Sequence, residues 1–111
     1  MLPLKNRIKK RKDFEDVFKR GRVIRGSFFL TKIKENNLAF PRFAFVVPAK
    51  FEKKATKRNR TKRVFREATR SLLSLMKRNV DAVFVIKNER EIDFTETRAE
   101  IKKVLAKEKI I

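Results

Sequence analysis

An α+β fold, one sheet with helices packed against it, is what this sequence predicts, and three observations predict it. Two apolar runs rich in β-formers, residues 27 to 34 and 42 to 48, are separated by a short polar loop. A third such run begins at Asp81. The segments around these runs instead repeat apolar residues at helical spacing. Strand pairs mixed with intervening helices give the order αββαβα, the pattern of a sheet covered by helices. The chain of 111 residues has the length of one domain, so 1–111 is read as a single unit, with 1–12 as a basic N-terminal arm.

The arm carries six basic residues, no acid and one proline, and is expected to order only partly by itself. In "KDFEDVFKRG", Phe14, Val17 and Phe18 fall at i, i+3 and i+4. Asp13, Glu15 and Asp16 come early, Lys19 and Arg20 late, and Gly21 follows, which describes a short amphipathic helix with charges suited to its dipole. "SFFLTKIK" ends in the loop signal "ENN", and "RFAFVVP" is apolar on both faces and closed by Pro48. These two are expected to be neighbouring antiparallel strands joined through residues 35 to 41. From about Ala55 to Lys77 the pattern is helical, and "DAVFVIKN" from Asp81 is another buried strand. Phe94, Ile101, Val104 and Leu105 form the apolar stripe of a last helix, with Asp93 as its N-cap.

Composition narrows the function. Lys and Arg number 32 against 13 Asp and Glu, a formal charge of +19. Self-repulsion of that size is tolerated mainly where a polyanion neutralises it, and nucleic acid is the first candidate. The chain has no Cys and no His, which excludes disulfides, thiolate nucleophiles, histidine general bases and zinc sites built from those residues. No segment approaches the roughly 18 apolar residues of a membrane span, and "MLPLKNRIKKRKDF" lacks the apolar stretch of a secretory signal. The expected location is the cytoplasm, with no membrane partner.

Charge is also unevenly spread: residues 50 to 66 hold nine basic residues and one acid, whereas 88 to 109 hold six of each. On a helical wheel of about 100° per residue, Arg58, Lys62, Arg66, Asn59, Arg70 and Arg63 converge within roughly 140°. Val64, Phe65, Ala68, Leu72 and Leu75 take the opposite side. Arg58, Lys62 and Arg66 have no acid at i±4 to pair with, so this face is suited to phosphates. Asn59 adds no charge, but its amide donates and accepts together, which suits a phosphate beside a ribose hydroxyl, a base edge or a water of a metal ion.

At these residues a resemblance becomes specific. "KRNRTKRVFREA" resembles the arginine-rich RNR signature of the protein subunit of bacterial ribonuclease P. "KDFEDVFKRG", "SFFLTKIK", "RFAFVVPAK" and "VDAVFVIKN" are similar to that family's first helix and its long strands, so the likeness covers most of the chain. The resemblance implies a two-layer α/β sandwich of ribosomal-protein-like fold, with a left-handed βαβ crossover carrying the basic helix. It implies an endoribonuclease activity, removal of the 5′ leader of precursor tRNA, in which the partner ribonuclease P RNA is the catalyst and uses Mg²⁺. On this reading the protein has no catalytic residues. Lys57, Arg58, Asn59, Arg60, Lys62, Arg63 and Arg66 would contact RNA, and the protein would hold no metal directly, with Asn59 reaching one through water.

The resemblance further implies a leader-binding cleft between the first helix and the sheet. Phe14 and Phe18 match it on the helix, and counting on from Gly21 places Phe28, Leu30 and Lys32 on the cleft face, with Phe29, Thr31 and Ile33 on the other. Where several relatives carry an aromatic this chain has Lys32, which shifts the cleft from stacking towards phosphate contact. Before the basic helix, where the family often has Gly, stand Glu52 and Lys53. The expected complex is one protein monomer with one RNA. Two other functions are compatible with the composition: a structural RNA-binding protein of the ribosomal type, and a self-sufficient metal-dependent nuclease using acids such as Asp13 and Asp16.

Overall fold

In the computed structural model, which describes residues 2–87 and 93–111, the chain forms a four-stranded mixed sheet with helices on both faces. The elements in order are α1 (Arg11–Arg20), β1 (Arg22–Arg25), β2 (Phe29–Glu35), β3 (Arg42–Val46), α2 (Ala55–Leu72), β4 (Val80–Ile86) and α3 (Phe94–Lys107). Short 3-10 turns precede α1 at Leu4–Asn6 and follow α2 at Leu73–Leu75. Asn88, the last residue of the expected strand "DAVFVIKN", lies outside the described residues.

Strand order is β1-β2-β4-β3. β2 pairs antiparallel with β1 and β4, whereas β3 and β4 are parallel, with α2 as the connection between them. The expected hairpin between residues 27 to 34 and 42 to 48 is therefore corrected: β4 is inserted between those two strands. β4 is buried at six of its seven positions, and a strand apolar on both faces gains most at the centre of a sheet. A short loop permits pairing of its flanking strands but does not enforce it. β1 is an additional strand beyond the expected order, and its local signal is the short "RVI" run before Gly26. It closes onto β2 through a tight turn in which the Gly26 amide donates to the Phe29 carbonyl at 2.7 Å.

Gly21 ends α1 by close approach of backbone. Its φ is an ordinary −70°, but a Cβ there would lie 2.5 Å from the Val17 carbonyl oxygen and 3.1 Å from the Ile33 amide. Glycine lets the helix end press directly on β2.

The main core lies between the sheet and the α2/α3 layer. Phe65 of α2 packs edge-on to Phe29 at 5.4 Å between ring centroids and tilted to Phe84 at 6.1 Å, with Phe45 and Phe28 around it. Ala68, Leu72, Ile101, Val104 and Leu105 complete this layer. Asp93 caps α3 as expected, its Oδ1 accepting from the Glu96 amide at 2.7 Å. Phe94, assigned to the apolar stripe of that helix, is instead exposed at its first turn.

The N-terminal arm is tied down more firmly than its charge suggests. Leu2 is fully buried in the core, Asn6 Nδ2 donates to the Pro41 carbonyl at 2.8 Å, and the Ile8 amide donates to the Phe43 carbonyl at 2.9 Å. The arm thus covers the outer edge of β3, which would otherwise present unpaired backbone groups.

Thr31 points into this core and is fully buried, and its Oγ1 finds no hydrogen-bond partner among the described residues. Thr31→Val is expected to stabilise the fold by about 1 kcal/mol, because an isosteric methyl removes the desolvation cost of the hydroxyl. A chemical-denaturation midpoint that stays the same or falls would contradict this.

Candidate nucleic-acid interface

The basic helix begins at Ala55, as its pattern predicts, and lacks both a side-chain cap and an acid in its first turn. Two features anchor its start instead. Arg58 donates to the carbonyls of Glu52 at 3.0 Å and Lys53 at 2.8 Å, and the Glu52 carboxylate accepts from the Lys54 amide at 3.2 Å. Arg58 therefore spends part of its guanidinium on the turn that carries Glu52 and Lys53, an internal role that the wheel did not show.

Lys57, Asn59, Arg60 and Arg63 are exposed along this helix, while Lys62 and Arg66 are half-buried. Lys62 and Arg66 line a groove with Arg7 and Ile8 of the arm and with Phe43, Ala44 and Phe45 of β3. Arg7 joins Lys62 and Arg66 of α2 because the arm runs along β3, a pairing that lies beyond the reach of local sequence pattern. Its Nε is held by the Leu2 carbonyl at 2.9 Å. Asn59 is exposed on the same helix and is not among the residues that line this groove.

The other face of the sheet carries α1. Phe14 and Phe18 stack with centroids 5.6 Å apart and planes 19° apart, one helical turn from each other. Lys32 reaches from β2 to the second ring, its Nζ 3.6 Å from the Phe18 centroid, and donates to the Phe18 carbonyl at 2.9 Å. It therefore caps the C-terminal end of α1 and makes a cation–π contact at the same time. Leu30 lies on the same face of β2, two residues before Lys32, and is half-buried. Beyond Lys32, Lys34 is ion-paired to Asp16, and this hydrogen bond, with smaller contributions from Arg20 and Lys12, holds the Asp16 carboxyl below its ordinary value.

Phe28 does not join them. It precedes β2, is buried, and packs against Phe29 at 5.2 Å and Phe65 at 6.2 Å on the α2 side. Strand alternation does not reach Phe28, because residues 27 and 28 form a bend, where side chains no longer alternate. The structure thus brings Phe14, Phe18, Leu30 and Lys32 to one face and assigns Phe28 to the core.

Arg42 is a further charged residue beneath α1, beyond those expected from sequence. On β3 its side chain faces α1, with Nε 2.9 Å and Nη2 2.6 Å from the two Asp81 oxygens and Nη1 3.2 Å from Asp13 Oδ2. Asp81 chiefly, with Asp13 adding and partial burial opposing, raises the Arg42 pKa. One signal was available, since Arg42 opens a strand that is otherwise apolar.

Comparison with known proteins bears on the family and the fold. A family model described as Ribonuclease P matches residues 2–109. The chain is 34% identical over 113 aligned positions to the ribonuclease P protein component of Pseudanabaena sp., covering 100% of this chain and 97% of that protein. It is 30% identical over 111 positions to the corresponding protein of Fusobacterium nucleatum, with 96% and 99% covered. Among solved structures, the RNase P protein from Thermotoga maritima superposes with a TM-score of 0.80 at 28% identity, covering 91% of this chain and 96% of that one. The Staphylococcus aureus RNase P protein superposes with a TM-score of 0.81 at 23% identity over 95% and 96%, a likeness of fold.

Proposed function

The chain belongs to the bacterial ribonuclease P protein family, and from that premise we propose how its two candidate surfaces divide the work. It is the protein component of a ribonucleoprotein that binds RNA and assists 5′ maturation of precursor tRNA, with catalysis residing in the RNA partner. The basic face of α2, extended by Arg7, docks on the catalytic RNA. Phe14, Phe18, Leu30 and Lys32 on the opposite face receive the single-stranded leader. The observation that carries this division is the position of α1 and α2 on opposite faces of one sheet, which lets one small protein touch two RNA segments at once.

On the leader face Lys32 supplies the phosphate contact. Its ammonium already occupies one approach to the Phe18 ring, so the leader is held by charge together with the ring edge and is read without base preference. On the α2 face Arg63 and Arg66 offer forked donors to phosphate oxygens, and Lys57 and Lys62 act as point charges.

Mg²⁺ demands oxygen ligands and retains several waters. The α2 face sets the neutral amide oxygen of Asn59 among cations. That donor set suits a water-mediated contact to an ion held by RNA phosphates, where the ion would neutralise charge at the cleavage site, and it does not suit direct ligation. Lys57, Arg60 and Arg63 would hold the surrounding phosphates. Among the described residues no helix is long and apolar enough to cross a membrane. We place the protein in the cytoplasm as a monomer bound one to one with its RNA.

Reconstitution with a bacterial ribonuclease P RNA tests the reading. The protein should enhance cleavage of precursor tRNA at low Mg²⁺ and favour leader-bearing over mature tRNA. In the same assay Phe18→Ala is expected to reduce that preference roughly fivefold, the low end of what an aromatic contact to a base is worth. Equal loss of affinity for mature tRNA would assign Phe18 to folding alone.

A further inference from the structure

α1 has little apolar attachment to the sheet. Among the described residues Val17 is the one side chain of this helix that is buried, and it lies outside the main core cluster. Three polar contacts add to it: Lys32 to the Phe18 carbonyl, Lys34 to Asp16, and Arg42 to Asp13. The first two hold the C-terminal half of the helix. Asp13 is the attachment nearest its N-terminal end, adjacent in sequence to Phe14.

The Arg42 contact differs from the other two in rigidity. Its guanidinium is planar, and two of its nitrogens are committed to the two oxygens of Asp81, a residue nearly buried on the central strand β4. Asn36 Nδ2 donates to the same Asp81 carboxylate at 2.8 Å and fixes it in turn. The remaining nitrogen, Nη1, must then point in one direction, and Asp13 stands there at 3.2 Å. An ion pair 19% and 33% exposed at its two side chains is screened only in part by solvent.

From this geometry we infer that Asp13 is a positioning residue for leader recognition: through Arg42 and Asp81 it fixes the N-terminal half of α1, and with it Phe14 and the Phe14–Phe18 stack, over the sheet. The inference rests on the reading of that face as the leader surface. Asp13 itself touches no RNA in this arrangement. A carboxylate beside a polyanion is by itself unfavourable, and here its charge is absorbed by Arg42. Removing it therefore improves the net charge for RNA binding yet should weaken leader recognition, a sign opposite to that of a simple electrostatic role.

The test uses the reconstituted holoenzyme and compares the Kd for leader-bearing with that for mature tRNA. Asp13→Asn leaves the Arg42–Asp81 pair in place, so the sheet is retained, whereas removing Arg42 would strand Asp81. The leader preference is expected to fall roughly threefold in Asp13→Asn, with affinity for the partner RNA unchanged, and Asp13→Glu should restore it. Unchanged or increased preference in Asp13→Asn overturns the proposal, as does failure of Asp13→Glu to restore it. Equal weakening towards both tRNAs also overturns it, because general destabilisation does not discriminate. Absence of leader preference in the unmodified protein removes the leader reading itself, and the positioning role with it.

Discussion

Reversing Lys62 and Arg66 to Glu is expected to lower affinity for the catalytic RNA by at least about a hundredfold, since each lost charge-assisted hydrogen bond is worth about 1.5 to 3 kcal/mol. It also flattens the salt dependence, the logarithmic slope falling by roughly 1 for each phosphate contact removed. These positions are preferable to Arg58, whose reversal would also release the carbonyls of Glu52 and Lys53 and loosen the start of α2. The same number of charges reversed on α3, at exposed Lys102 and Lys103, is the control. Binding measured across a salt series separates the outcomes. An equal loss in the α3 variant would mean that net charge matters and the α2 face does not, and an unchanged slope in the α2 variant would place the RNA elsewhere.

Phe65→Ala, on the opposite side of the same helix, is expected to destabilise the fold by about 3 to 5 kcal/mol, the range for removing a buried ring from a packed core. Phe65 is fully buried and meets the rings of Phe28, Phe29, Phe45 and Phe84, so no neighbour is free to fill the space. A loss of that size is a large share of a small domain's total stability of about 5 to 15 kcal/mol. Chemical denaturation should therefore show a much lower midpoint, and RNA binding should be rescued in part by cooling or by excess RNA, which selects the folded state. A shift below about 1 kcal/mol would mean that the core around this ring collapses readily. The two variants lie on one helix and fail in different ways, one through the interface and the other through the fold.

Much of the molecule was legible from residue pattern. The 3.6-residue repeat placed the start of α2 and assigned Phe65, Ala68 and Leu72 to the core side, although the α-helix ends at Leu72 rather than near Lys77 and Leu75 is exposed; the acid-to-base gradient with Gly21 bounded α1. Asp93 was recognisable as a cap because its role is settled within one helical turn. The basic face of α2 was equally local, since it follows from helix geometry alone. Phe28 was misplaced where strand alternation gave way to a bend.

What the sequence by itself determined is therefore everything governed by neighbours a few residues away: which segments are helix or extended, which side of each is apolar, and which helix carries the cations. Only the tertiary structure decided the strand order, with β4 between β2 and β3, and so the joining of Arg7 to Lys62 and Arg66 and of Asp13 to Arg42 and Asp81. Those pairings cross 29 to 68 residues of chain. Their partners are selected by competition among all strands for the most buried position, and local pattern carries no record of that competition.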